Sequence, residues 1–194
     1  MPRKNEMQKP QKCRSCDKVS NCEILRLMPF DASGILLDCK AFYIVFCDLE
    51  ERCRVPFGDQ EAMDHDNANY LAGKKPFLQS ALVTNGILAA ELALKALTLK
   101  ETGTFDCIHE IDKLYYHLPD IHRAALTPMI MEKAHQNEVT LKTNLETISN
   151  FFVNWRYFFQ YNAIGYSGFL LDFIHTVCDY AISNIENSMT VENG

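Results

Sequence analysis

The sequence lacks an apolar run behind its basic first residues, and it lacks a long apolar stretch that is free of charges. Residues 1–13, MPRKNEMQKPQKC, are polar and basic. A secretory signal would follow such a start with an apolar core of about 7–15 residues. The longest apolar stretch is interrupted by Glu91 and Lys95 before it reaches the roughly 20 residues of a membrane span. We therefore expect no export signal, no membrane association and a cytoplasmic location.

Positive charge and the familiar cofactor motifs are also scarce. The chain carries 19 Lys and Arg against 25 Asp and Glu, a net charge of −6. Domains that coat duplex nucleic acid are usually basic, so this balance argues against that class while leaving room for a local basic groove. There is no dinucleotide-binding glycine motif, no P-loop and no Ser/His/Asp signature. No redox or nucleotide cofactor is expected on these grounds.

What the sequence does have is one long segment of Ala, Leu and Lys, residues 78–100, which predicts a helix that is apolar on most of its circumference. At about 100° per residue, four polar side chains fall on one narrow stripe: Thr84, Glu91, Lys95 and Thr98. Glu91 precedes Lys95 by four residues, the favourable order for a helical ion pair. The stripe is either a solvated edge that carries this pair or one wall of a groove where charge is used.

The rest of the chain predicts further helices around this one. We expect helices at about 67–75, 108–118, 128–136, 139–163 and 169–186. Asp106 is the predicted N-cap of the second, and Thr127-Pro128 the predicted start of the third. Residues 35–37 and 41–46 are short apolar runs whose length favours strands or short buried segments. The fold predicted is an all-α, up-and-down bundle of four to six helices over residues 61–190, preceded by a cysteine-rich N-terminal segment over residues 1–60.

Six of the eight cysteines lie in the first 53 residues, which is why the N-terminal segment is treated separately. Cys13 and Cys16 have the C-x2-C spacing that lets two thiolates hold one zinc ion, and Cys22 follows. A fourth ligand would come from Cys39 or from one of three other residues: Cys47, Cys53 and His65. Because a second C-x2-C is absent, free thiols remain the alternative to a zinc site.

Three segments taken together resemble the HEPN (higher eukaryotes and prokaryotes nucleotide-binding) superfamily. They are NGILAAELALKALTLKETG, HEIDKLYYHLP and FFVNWRYFF, in the family's order and spacing, and they cover about residues 76–161. The family pattern is an A-x-E-L-x-L-K-x-L-L helix, an H-D-L-x-x-L helix and a helix centred on Arg-Tyr. The resemblance implies a helical bundle that dimerises with its arginine-bearing helices near the two-fold axis.

Many HEPN proteins are metal-independent ribonucleases, often toxins of toxin-antitoxin pairs or phage-defence proteins. Others bind nucleotides or serve as partners, for example of a nucleotidyltransferase. In the nuclease motif, R-x4–6-H, four to six residues separate an arginine from a histidine. The arginine stabilises charge on the phosphorane, and the histidine acts as the general acid or base.

Carried onto this chain, the resemblance makes Arg156 the motif arginine, but the motif histidine is missing. The sixth motif position is Tyr161, no histidine occurs between Arg156 and Ile174, and His-Asp-Leu of the second helix is replaced by His109-Glu110-Ile111. Tyr157, Gln160 and Tyr161 are candidate phosphate-binding residues, yet none titrates near neutral pH as histidine does. His109 is the candidate replacement, from another helix.

Three functions follow from these observations. The first is a dimeric HEPN-like domain without standard nuclease activity that binds RNA, a nucleotide or a protein partner through a groove of Glu91, Lys95, His109 and Arg156. The second is a metal-independent ribonuclease with a divergent site in which Arg156 and His109 are catalytic. The third is a scaffold whose polar stripe is structural.

A homodimer is expected independently of the resemblance. Phe151, Phe152, Trp155, Phe158 and Phe159 span more than one face of a single predicted helix. A small bundle cannot cover all of them, so a second surface is required.

Overall fold

The computed structural model describes residues 31–53, 61, 64–65, 68–69, 72–73, 78–149 and 168–192. These residues form an all-α structure without a strand, which confirms the predicted helical bundle. Six helices are defined: α1 Ala32–Cys53, α2 Leu78–Thr102, α3 Ile111–Tyr116, α4 Asp120–Lys133, α5 Glu138–Ser149 and α6 Gly168–Glu192.

The second helix, α2, is the central element of the bundle. Ten of its apolar residues are almost completely buried: Leu82, Val83, Ile87, Ala89, Ala90, Ala93, Leu94, Ala96, Leu97 and Leu99. The helix ends as predicted, because Gly103 takes a positive φ of 69° and its N–H donates to the carbonyl of Leu99 at 2.8 Å. By length and composition Ser80–Thr102 could also cross a membrane, but most of that segment is buried inside the protein. It is the core helix of the bundle.

The predicted apolar stripe of the last helix is confirmed. Six residues of α6 face the core: Leu170, Phe173, Ile174, Val177, Ala181 and Ile185. The helix extends beyond the predicted end, to Glu192. It packs against α1, α2 and α4, so it closes the bundle around the central helix.

The predicted strands in the N-terminal segment are wrong, because residues 35–37 and 41–46 belong to one helix, α1. The buried residues Ile35, Leu36, Cys39 and Phe46 follow a helical spacing, and they pack against α2 and α6. Each apolar run is too short to show the helical period, which becomes visible only over residues 35–46 as a whole. Residues 32–53 are therefore part of the helical core and not of an appendage.

Two predicted helix starts are also wrong. The helix around residue 111 begins only at Ile111, and Asp106 binds His117 Nδ1 at 2.8 Å instead of capping it. Thr127-Pro128 does not restart a helix, because α4 runs without interruption through Pro128. Burial of Leu126 and Ile130 on the two sides of the proline holds the helix together despite the missing N–H.

The fifth helix, α5, is the described part of the predicted helix at 139–163. Leu141, Leu145 and Ile148 form the buried beginning of its predicted seam. The continuation of this seam, which contains Trp155 and Arg156, lies outside the described residues. So does most of the predicted helix at 67–75.

Candidate functional site

The site is built on the polar stripe of α2, which is not the solvated edge that one interpretation of the sequence predicted. Glu91 and Lys95 are 4% and 6% exposed. Lys95 Nζ donates to Glu91 Oε1 at 2.6 Å. Thr84 and Thr98 are half-buried, so the stripe runs under cover for most of its length.

The cover comes from the connection between α2 and α3. The Gly103 turn reverses the chain, and the following residues fold back over the stripe. The ring of Phe105 lies 5.9 Å from Lys95 Nζ, a cation–π contact. His109 follows, and its Nδ1 is 2.9 Å from Glu91 Oε1.

One carboxylate oxygen of Glu91 therefore binds both Lys95 and His109. The carboxylate accepts, so Nδ1 of His109 carries the proton in this contact, and Nε2 is the nitrogen that gains or loses a proton. The His109 side chain is 68% exposed, whereas that of Glu91 is 5% exposed. The arrangement is an exposed imidazole oriented by a buried, lysine-paired carboxylate.

The second oxygen of this carboxylate is unusual. Glu91 Oε2 is buried and has no hydrogen-bond partner among the described residues. Buried carboxylate oxygens are normally paired, because leaving such a group unsatisfied costs free energy. The site thus holds one acceptor that is available to a donor in a bound molecule or in the rest of the chain.

The residues after His109 form one exposed ion pair and connect the start of α3 to the end of α5. Glu110 binds Lys113 Nζ at 2.7 Å, and this contact lowers the pKa of Glu110 and raises that of Lys113. The Asp112 N–H donates to Ser149 Oγ at 2.6 Å, and Ser149 Oγ donates to Asp112 Oδ1 at 2.5 Å. The start of α3 is therefore tied to the end of α5. Glu110, the middle residue of His109-Glu110-Ile111, is thus in an exposed ion pair.

Three of the sequence-predicted site residues thus lie together: Glu91, Lys95 and His109. The other four, Arg156, Tyr157, Gln160 and Tyr161, lie outside the described residues. The sequence grouped the first three through the resemblance to the HEPN pattern. The burial of Lys95 and its contact with Phe105 had no signal in the sequence, because they depend on the path of residues 103–110.

The zinc hypothesis concerns residues that are mostly outside the described part of the chain. Cys13, Cys16 and Cys22 are not described. Cys39 is completely buried, and burial raises the pKa of the Cys178 thiol, an effect that the neighbouring Cys39 increases. Within the described ranges, no three His, Cys, Asp or Glu side chains are grouped as metal ligands would be.

Comparisons with known proteins add no relative to this picture. No protein-family model matches the chain. Neither the curated proteins nor the solved structures contain a match.

Proposed function

We propose that this chain is a cytoplasmic, HEPN-like helical domain that forms a homodimer and binds RNA, a nucleotide or a protein partner without standard nuclease activity. The binding surface would consist of Glu91, Lys95 and His109 together with Arg156. The contact of one Glu91 oxygen with both Lys95 and His109 is the observation that carries this proposal. It supports a polar site, because three residues from two of the segments that resemble the HEPN pattern converge on one carboxylate oxygen.

The charge of the site favours binding over catalysis. Glu91 neutralises the buried Lys95, so the described part of the site presents one exposed imidazole and no exposed cation. A nuclease of this kind needs an acid–base group and a cation on the scissile phosphate. With Lys95 neutralised, the second requirement would rest on Arg156 alone, and without the motif histidine the first would rest on His109.

The alternative function, a metal-independent ribonuclease, is supported by the orientation of His109. A carboxylate on Nδ1 holds the imidazole with Nε2 as the proton-exchanging atom, an arrangement that suits a general acid or base. In this alternative, His109 replaces the missing motif histidine and Arg156 stabilises the developing charge.

Binding and cleavage of RNA in the presence of EDTA test both functions. A labelled single-stranded RNA of mixed sequence is incubated with the wild-type chain and with Arg156→Ala and His109→Gln. His117→Gln is the matched control, because His117 is an exposed histidine that pairs with Asp106 away from Glu91.

We expect the wild type and His117→Gln to bind RNA, and Arg156→Ala and His109→Gln to bind it more weakly. None of the four proteins should cleave it. EDTA-resistant cleavage that both Arg156→Ala and His109→Gln abolish would establish the ribonuclease instead. If the wild type neither binds nor cleaves RNA and also does not bind nucleotides, the polar stripe is a structural feature of a scaffold.

A further inference from the structure

The interface of α1 and α6 contains a chain of three hydrogen bonds that the proposed function does not use. Glu50 Oε2 lies 2.8 Å from His175 Nε2. His175 Nδ1 lies 2.7 Å from the hydroxyl oxygen of Tyr43. The Tyr43 hydroxyl donates to Asp179 Oδ1 at 2.7 Å. We call these four residues the Tyr43 network.

Helical spacing places the four side chains in one line. Tyr43 and Glu50 are seven residues apart on α1, and His175 and Asp179 are four apart on α6, so each pair shares a face. The edge of the His175 ring also packs against Tyr43 and against the buried Phe46, with centroid distances of 5.7 and 5.2 Å. The imidazole is therefore fixed between the two helices.

The network is only partly accessible to water. The side chains of His175 and Glu50 are 23% and 17% exposed, while Asp179 lies at the surface. The other titratable groups that face the network are thiols and a carboxylate on the same two helices: Cys47, Asp48 and Cys178. The group of charges around His175 is thus predominantly acidic.

Counting protons shows that the three hydrogen bonds require one more proton than the neutral side chains supply. Each bond needs one hydrogen. A neutral imidazole and a phenol bring one hydrogen each, and an ionised carboxylate brings none. With only two hydrogens, one of the three contacts would bring two lone pairs together at 2.7 or 2.8 Å: Nε2 with Glu50, Nδ1 with the Tyr43 oxygen, or the Tyr43 oxygen with Asp179.

All three short contacts are hydrogen bonds only when a third proton is held by the imidazole or by one of the two carboxylates. Tyr43 does not change this count. Burial and the bond to Asp179 raise the pKa of its hydroxyl, so the phenol keeps its single proton. Burial also raises the pKa of the neighbouring Cys47 thiol.

We propose that the Tyr43 network is a proton-binding clasp that fastens α1 to α6 by taking up one proton when the chain folds. An unfolded histidine is neutral above pH of about 6.5. Above that pH the folded chain then binds more protons than the unfolded chain, so its stability falls as pH rises. Loss of the proton breaks one of the three hydrogen bonds and loosens α1.

Glu50→Gln tests the role of the third proton, because this variant should keep all three hydrogen bonds without it. A glutamine amide has the shape of the carboxylate but can donate to Nε2. Nδ1 can then donate to Tyr43, and Tyr43 to Asp179, with a neutral imidazole. All three bonds are retained and the third proton is no longer needed. Glu51→Gln, an exposed residue next in the chain, is the matched control.

The measurement is urea unfolding of the full-length chain from pH 6.5 to 8.5, at one protein concentration. The ratio of the unfolding constants of wild type and Glu50→Gln should rise by up to about tenfold per pH unit, since one proton is linked to folding. Glu51→Gln should follow the wild type. Asp179→Asn should behave as Glu50→Gln does, because an asparagine amide can donate to Tyr43.

Equal pH dependence in the wild type and Glu50→Gln would overturn the proposal. If Glu50→Gln does not fold, Asp179→Asn decides the matter in the same way, since Asp179 lies at the surface. Neither result depends on RNA or nucleotide binding, so the clasp and the proposed function fail or stand separately.

Discussion

At the scale of single residues, the Glu91–Lys95 pair combines a stability cost with a functional position. Both side chains are more than nine-tenths buried, and Glu91 Oε2 has no partner among the residues described. Two charges taken out of water are expensive, and their attraction recovers that cost only with good geometry and full hydrogen bonding. A purely structural role would be served as well by two apolar residues. The incomplete bonding is therefore the residue-level argument that this carboxylate has a further partner.

This argument predicts an asymmetry between single and double substitutions. Lys95→Met leaves a buried carboxylate without its cation and should lower the unfolding free energy by about 3–5 kcal/mol. Glu91→Leu combined with Lys95→Met should recover most of that loss. Urea unfolding at pH 7 measures both. Lys113→Met, which removes the cation of the exposed Glu110–Lys113 pair, should change stability far less than Lys95→Met does. A Lys95→Met protein as stable as this control would contradict the buried-pair argument.

At the scale of the helices, the packing of α1, α2 and α6 depends on one residue without a side chain. A Cβ added to Gly86 would lie 2.6 Å from atoms of both Ile174 and Phe46, which are completely buried. Glycine in the middle of a helix costs about 1 kcal/mol relative to alanine. Close approach of three helices explains why it is nevertheless there.

Gly86→Ala should therefore destabilise the protein, although alanine is the better helix former. Overpacking costs about 1–3 kcal/mol and outweighs the propensity gain. Gly168→Ala is the matched control, because nothing lies within 4 Å of a Cβ at the start of α6. Thermal unfolding should show a lower midpoint for Gly86→Ala and an unchanged or higher one for Gly168→Ala. The reverse order would mean that the helices do not approach as closely as described.

The helices also show what the sequence can and cannot predict. Long periodic segments such as α2 and α6 were predicted with their buried faces, because 25 residues of each carry the pattern. At α1 the secondary structure could not be predicted from short segments of sequence. The segment AFYIVF is rich in strand-forming residues, but it continues a helical period that begins at Ile35. The helix start predicted at Thr127-Pro128 is wrong, because tertiary packing overrides the local preference of proline for the first turn of a helix. At the site, spacing alone aligned Glu91 and Lys95, whereas their burial depends on a turn whose path no local pattern specifies.

At the scale of the whole molecule, the proposed homodimer predicts its own hydrodynamic signature. Sedimentation at micromolar concentration should give a species of twice the 22.2 kDa chain mass. We expect a dimer because the sequence from Phe151 to Phe159 contains more aromatic residues than one small bundle can cover. Phe158→Lys should shift the equilibrium toward the monomer, whereas Val139→Lys, at an exposed valine of α5, should not. A wild-type monomer at that concentration would refute the dimer.

The buried His122 and the proposed clasp predict opposite dependences of stability on pH. His122 is buried, with Nδ1 3.0 Å from the Tyr180 hydroxyl and Nε2 3.4 Å from Glu101. Burial lowers the pKa of His122, an effect that Lys100 increases and Glu101 opposes. Its folded pKa is below the unfolded value of about 6.5, so its contribution to stability is present above that pH and lost as pH falls. The Tyr43 network has the opposite sign.

Stability should therefore be greatest near pH 6.5 and decline on both sides. His122→Asn should remove much of the pH dependence between pH 5 and 6.5, because it removes a group that takes up its proton more readily in the unfolded chain than in the folded chain. Glu50→Gln should flatten the alkaline side, and the two substitutions together should leave little dependence on pH in this range. His117→Gln, which alters an exposed histidine, should keep the maximum. Unfolding free energies from urea titrations at half-unit intervals of pH measure all four proteins. A wild-type curve that rises from pH 5 to about 6.5 and is then level to pH 8.5 would leave His122 as the only titrating group of the two and would contradict the clasp.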